Sequence, residues 1–372
     1  MRKNKRLWAG ILSAAGLLWM ILDTKAAVSG AADGVMLCIR SVIPSLFPFL
    51  FLSAIMNSVL LGADIPFMKS LLKLCAIPKG AGSLLLLGLL GGYPVGAQAI
   101  ANASKEGQLS KEAATRMLGF CNNAGPAFIF GLIGTLFTSQ GIPWVIWAIH
   151  ILSALTVGVI LPNRTAEQIQ MYAGKPLTVS EALWRSVRTM ANICGWIILF
   201  RVLIAACSRW FAWLLPEQIR FLLIGTMELT NGITLLQSTQ LSGVRYVIAT
   251  TILSAGGLCV AMQTCSVAEG VGLQMYFPGK ILQAIISFFA AYITQIFLFD
   301  SSQIMELDGL AFLAILAALS ITLLFVYRKK VVTNRHGLLY NSQKERRKGS
   351  SHAVSTEASA YLRPLHMGHP SR

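Results

Sequence analysis

Long apolar runs separated by short basic loops dominate this chain. Runs near the ~20 residues that a helix needs to cross a bilayer fall at 7–22, 42–62, 112–138, 143–161, 190–210, 246–268, 281–299 and 309–327, which predicts about eight transmembrane helices. Two further runs are apolar but interrupted. Residues 83–101 contain Gly88-Leu89-Leu90-Gly91-Gly92-Tyr93-Pro94-Val95-Gly96, and residues 220–240 contain Gly225, Thr226, Glu228, Thr230, Asn231, Gly232 and Thr234. Glycine adopts backbone angles other residues avoid, and proline removes a backbone donor. Within a membrane, such broken backbone persists only where protein or a water-lined cavity satisfies it. Each interrupted run therefore predicts a re-entrant helical hairpin, and a pair of them points to a transporter binding site.

Charge orders these segments. The chain is 55% hydrophobic and only 12% charged, with a net charge of +16. Half of that charge sits in the tail 328–372, with 10 Lys/Arg against 2 Asp/Glu, and much of the rest lies in short loops. This is the pattern of positive-inside loops and not a nucleic-acid footprint. If both hairpins enter and leave on one side, Lys69, Lys73, Lys79, Lys105, Lys111, Arg164, Lys175, Arg185, Arg188 and Lys280 all fall inside with both termini. The loop holding Asp300, Glu306 and Asp308 falls outside. Arg209, Arg220 and Arg245 then lie near the outer side. The basic start, Arg2, Lys3, Lys5 and Arg6, precedes an apolar run slightly long for a cleaved signal peptide, so a retained first helix is expected.

The predicted fold is an all-α polytopic membrane protein with an inverted repeat. Residues 1–41 are an N-terminal transmembrane helix and outer loop, and 42–162 a first repeat with its re-entrant segment at 83–101. Residues 163–189 are a cytoplasmic linker, and 190–299 a second, inverted repeat with its re-entrant segment at 220–240. Residues 300–327 hold the last transmembrane helix, and 328–372 form a basic, disordered cytoplasmic tail. Residues 63–82 are too polar to span and suit a short interfacial helix.

Polar groups inside apolar spans are candidate functional groups, because burying them unpaired costs several kcal/mol. The candidates for solute binding are Gly92, Tyr93, Pro94, Gln98, Asn122, Asn123, Glu228, Thr230 and Asn231. Gly96, Gly125, Pro126, Gly232, Gly256 and Gly257 are expected structural helix breaks. Glu228 is the candidate for ion or proton coupling, with a pairing to Arg201 as the alternative. Structural capping by the Asn122-Asn123 amides, and simple helix packing at Ser254 to Gly257, remain open alternatives. The seven cysteines lie in or beside apolar segments without a CxxC pair, and His336, His352, His366 and His369 are irregular, so no metal site or disulfide is expected. No cofactor or catalytic motif is present, His150 on its apolar span reads as structural, and the chain is not expected to be an enzyme.

The run Ile43-Pro44-Ser45-Leu46-Phe47-Pro48-Phe49 resembles the YlbJ-type sporulation integral membrane proteins. So do Gly88 to Ala97 and Phe120-Cys121-Asn122-Asn123-Ala124-Gly125-Pro126-Ala127-Phe128, and, more loosely, Gly225 to Gly232 and Gly256-Gly257. That family is similar to nucleoside-recognition (Gate) domains. The resemblance implies a transporter-like core of inverted repeats and a role in endospore formation. It identifies no substrate. The expected function is a membrane protein that binds a small polar solute, of which a nucleoside-like molecule is one class, at mid-membrane. The alternative is a non-transporting scaffold or channel component required for spore formation. Expected partners are the lipid bilayer and the solute, with a coupling ion. Nucleic acid is not expected, and a homo-oligomer is compatible with the sequence.

Overall fold

The structure is a computed structural model describing residues 2–63, 65–162, 176–211, 214–215, 223–305 and 322. All of them fall within one compact unit, and every regular element among them is helical. Among the described residues, five helices are long and apolar enough to cross a membrane: Thr24–Leu60, Gly141–Ile160, Val179–Trp210, Ser242–Val267 and Tyr276–Leu298. Large apolar side chains such as Leu52, Leu152, Leu199 and Phe297 stand on their outer faces, as lipid contact requires.

The N-terminal part is more helical than the sequence suggests. Helix α1 (Arg2–Leu22) is followed by α2 (Thr24–Leu37), which passes through a π turn at Cys38–Val42 into α3 (Ile43–Leu60). Residues 24–41, expected as an outer loop, are therefore helix. Their alanines and glycines lower the hydropathy but let α2 lie close against α10 (Val179–Trp210). A Cβ added at Gly30 would be 2.9 Å from Ala205 Cβ, and one at Gly34 2.8 Å from Ile198 Cα. Helix α10 also begins earlier than expected. Thr178 and Glu181 form a reciprocal capping box, so residues 179–189 of the expected linker are its first turns. The stretch between α3 and the helix that begins at Gly82 carries a 3-10 turn at Pro66–Met68 that runs into the short α4 (Lys69–Leu74).

The first interrupted run is a helix-turn-helix, α5 (Gly82–Leu90) and α6 (Val95–Lys105), joined through Gly91 to Pro94 with Gly92 at φ +83°. The span expected at 112–138 is broken. Helix α7 (Lys111–Met117) gives way to irregular backbone over 121–125, and Pro126 starts α8 (Pro126–Gly131). A side chain at Gly88 would be 2.5 Å from Cys121 Cβ, and one at Gly96 would strike Cys121 O while lying 2.7 Å from Gly88 Cα. Three backbones meet there because Gly88 and Gly96 carry no Cβ. Helix α9 (Gly141–Ile160) follows.

The second interrupted run repeats this arrangement. Residues 223–227 are helical and meet α11 (Leu229–Leu235) so closely that a Cβ at Gly232 would strike Gly225 Cα. The following span is broken at Gly256 (φ +80°) and Gly257 (φ +71°) into α12 (Ser242–Ala255) and α13 (Gly257–Val267). Helix α14 (Tyr276–Leu298) completes the described spans. One apolar cluster, including Tyr93, Ile129, Ile146, Leu229, Ile233 and Tyr246, ties both halves together. The expected span 309–327 (apart from residue 322), linker residues 163–175, residues 220–222 of the second run and the tail 328–372 lie outside the described residues.

Overpacking at the three-backbone contact costs about 1–3 kcal/mol. Gly96→Ala should therefore lower the melting temperature of the detergent-purified protein clearly. Gly131→Ala, where an added Cβ meets nothing within 4 Å, should leave it nearly unchanged. Equal melting of the two variants would show that the contact at Cys121 does not constrain the fold.

Candidate functional site

The broken segment 121–125 leaves backbone groups that a continuous helix would have paired. Asn123 satisfies several of them. Its Nδ2 donates to Gly88 O (2.9 Å) and Phe120 O (2.6 Å), and its backbone N–H donates to Gly88 O (3.2 Å). Its Oδ1 accepts from Lys280 Nζ (3.2 Å) and Gln283 Nε2 (2.9 Å). One amide thus joins the α5–α6 pair, the helix break and α14, with every hydrogen-bonding position used.

Lys280 is 3% exposed, in the second turn of a membrane-length apolar helix. Besides Asn123, its Nζ donates to Gln283 Oε1 (2.8 Å) and lies 5.5 Å from the centre of the Tyr93 ring. It makes no ion pair among the described residues. Close backbone approach puts it there, because a side chain at Gly279 would strike Gly119 O. Tyr93 is fixed independently, its hydroxyl donating to Leu253 O at 2.6 Å.

A second polar chain lies alongside. Ala124 N–H donates to His150 Nε2 (3.0 Å), so that nitrogen carries no proton and the ring is the neutral Nδ1–H tautomer facing Ser254 Oγ (3.0 Å). Ser287 Oγ lies 2.7 Å from Ser254 Oγ and 2.8 Å from Ser153 Oγ, and Ser153 donates to His150 O (3.0 Å). Each hydroxyl has one proton, so Ser287 donates to Ser153 and accepts from Ser254. Gln283 Nε2 also reaches His150 O (3.2 Å). Helices α9, α12 and α14 are thereby cross-linked through neutral groups.

The tips of both helix pairs converge on the second break. A Cβ at Gly256 would lie 3.6 Å from the Tyr93 hydroxyl, and one at Gly257 3.1 Å from Thr226 O. Asn122 joins the two broken spans by donating to Thr264 Oγ1 (2.8 Å). The Tyr276 hydroxyl is buried beside Asn122 and Thr264.

Glu228, Thr230 and Asn231 form a separate local group. The Glu228 carboxylate accepts from Thr230 N (2.9 Å) and Asn231 N (2.8 Å), capping α11. Both oxygens face backbone donors, and the pairing with Arg201 is not made. Gln98 stands apart from the centre. Its Oε1 accepts from Thr189 (3.1 Å), and it lines two adjoining clefts of about 340 and 640 Å³. The smaller cleft reaches Leu87 and Val95, next to the α5–α6 tip. The larger carries Lys105, Lys111 and Arg188 against Glu269.

The structure therefore brings Gly92, Tyr93, Pro94, Asn122 and Asn123 to the centre, places Gln98 at its approach and leaves Glu228, Thr230 and Asn231 as a helix cap. Sequence reasoning assigned Lys280 to an inner loop, because it immediately precedes the apolar run 281–299; the helix begins at Tyr276 and buries it. Gln283 and Ser287 were missed as well. Their spacing with Lys280, i, i+3 and i+7, marks one polar face on an apolar helix and was a readable signal.

Over 320 residues the chain is 25% identical to the sporulation integral membrane protein YlbJ of Bacillus subtilis (strain 168), covering 72% of this chain and 77% of that protein. No protein-family model and no solved structure matches.

Asn123→Ala should be far more damaging than Asn122→Ala. The first leaves Lys280, Gln283 and the Phe120 and Gly88 carbonyls short of partners and should cost at least about 3 kcal/mol. The second removes one bond to Thr264 and should cost about 1 kcal/mol. Thermal unfolding in detergent reads both, and equal losses would contradict the role given to Asn123.

Proposed function

We propose that this is a multi-pass, transporter-like membrane protein whose polar centre, around Tyr93, Asn123, Lys280 and Gln283, binds a small anionic solute. The observation that carries this reading is Lys280: a basic side chain buried in a membrane-length helix, held by neutral acceptors, with no carboxylate beside it among the described residues. A lone charge in such a place is costly, and an anion is the partner that offsets the cost. The site lies where two helix breaks and two helix-pair tips meet, the usual setting for solute sites in secondary transporters.

The likeness between halves supports an inverted repeat. In each, a helix-turn-helix closed by a glycine–glycine contact precedes a broken span and then an apolar helix. In this reading the two helix pairs are re-entrant, both termini are cytoplasmic, and the repeats rock against one another around the central site. The cationic cleft at Lys105, Lys111 and Arg188 is then the inner approach for anions. The relative's name suggests sporulation as the setting. The protein is not an enzyme in this reading.

A non-transporting scaffold is the second reading. It is favoured by one observation, that Asn123 has no hydrogen-bonding position left for a solute in this conformation.

A thermal-shift screen of the detergent-purified chain separates the two. The panel is uridine, adenine, acetate, benzoate, malonate, phthalate, Na+, K+ and Mg2+. A bound anion at about 100 times its Kd stabilises by roughly 2.7 kcal/mol. That shift should appear with a carboxylate, vanish in Lys280→Met and persist in Glu228→Gln, which keeps one cap bond and should cost about 1 kcal/mol of stability. Lys280→Met should stay folded, losing no more than about 1–3 kcal/mol, because it leaves Gln283 Oε1 without its donor. No shift with any panel member, from folded protein, would favour the scaffold.

A further inference from the structure

We propose that Lys280 couples solute binding to protons: one proton, carried on Nζ, accompanies each anion into the site. This rests on the anionic-solute reading above and adds the coupling ion and its carrier.

Elimination within the buried centre leads to Lys280. His150 faces it across Gln283, but protonating Nε2 would destroy the bond from Ala124 N–H, so its neutral state is built in. The Glu228 carboxylate accepts two backbone N–H groups and would lose one on protonation. The Tyr93 hydroxyl is donated to Leu253 O, and Cys121, the other titratable group beside Lys280, is fully buried against the glycines of the α5–α6 pair. Lys280 alone has a coordination that suits either state. A neutral amine has two N–H groups, and the site offers two acceptors, Asn123 Oδ1 and Gln283 Oε1. An ammonium has a third N–H, for which the described residues supply only the face of the Tyr93 ring. An anion placed beside Nζ supplies the missing acceptor and the missing charge.

Proton and anion therefore favour each other, and linkage makes the coupling reciprocal. On entry, an amine and a solvent proton become an ammonium beside the anion. On exit, the anion leaves and the proton returns to solvent. No electron transfer and no bond other than N–H is involved. Because the ammonium formed on entry carries the compensating charge, anion binding needs no sodium.

The test is titration calorimetry on the full chain in detergent with acetate, benzoate, malonate and phthalate, in buffers of different ionisation enthalpy, between about pH 6 and 9. Wild type should take up close to one proton per anion at some pH in this window, equally in sodium and in choline salts. Lys280→Arg, which cannot lose its proton, should bind the anion with no proton uptake. Lys280→Met should unfold cooperatively, as a folded protein does, and bind no anion. Anion binding by the wild type without proton uptake at any of these pH values would overturn the proposal and leave the anion reading standing. Unchanged proton uptake in either variant would place the proton elsewhere and overturn it too. A strict sodium requirement would do the same. Folded wild type that binds none of the four anions would remove the anion reading and this proposal together.

Discussion

A helix broken inside an apolar protein must have its freed backbone groups satisfied by other protein groups, and the rest of this structure depends on how that is done. At the first break the answer is one amide. Asn123 takes two carbonyls with its NH2, one of them on the neighbouring hairpin, and presents its oxygen to α14. A hydroxyl could not do this, having one donor, and a carboxylate could not donate at all. The break is held open rather than healed into helix because Pro126 resists continuation and Gly125 is extended before it. At the second break no comparable side chain is needed. Gly256 and Gly257 turn the chain with positive φ and bring it beneath the two hairpin tips.

Close backbone approach is the second requirement, and it explains the glycine content better than flexibility does. Gly88 and Gly96 admit Cys121, Gly225 and Gly232 admit each other, and Gly119 and Gly279 bring α14 against the break. Helices packed in lipid gain little from burying apolar surface against one another, so short interaxial distances and interhelical hydrogen bonds decide which helices associate. The Gly119–Gly279 contact delivers Lys280 to Asn123; a larger residue at either position would push the amine out of reach of its acceptors.

Much of this was readable from residue order. The helix-breaking character of Gly88 to Pro94, of Asn122 to Pro126 and of Gly256-Gly257 follows from backbone chemistry, and the structure breaks helices there. Three things were not readable. Residues 24–37 look too small and polar to be a buried-face helix until the partner groove on α10 is known. Glu228 looks like a ligand group, because glutamate is not a favoured N-cap residue and nothing local shows that its carboxylate turns back onto Thr230 and Asn231. Lys280 looks like a loop cation, because hydropathy locates the apolar run but not the turn of helix before it. For residues 24–37 the deciding fact is a tertiary partner that no window along the chain contains; for Glu228 it is a local backbone turn, and for Lys280 the helix start, which only the polar spacing of Lys280, Gln283 and Ser287 signals.

The neutral character of the central network also bears on motion. The bonds that tie α14 to the first break and to α9 and α12 run through amides, hydroxyls and a neutral imidazole. Such bonds contribute about 0.5–1.5 kcal/mol each and exchange partners readily when a replacement arrives, whereas a buried ion pair that loses one member costs about 3–5 kcal/mol. A centre built from carboxylate–lysine pairs would be locked. In the proposed function, a solute oxygen joins Asn123 and Gln283 as a third acceptor for Lys280 while the existing hydrogen bonds keep their partners. Rigidity is supplied by the glycine contacts around the centre, and exchangeability by the polar groups within it, the combination that the proposed alternating access would need.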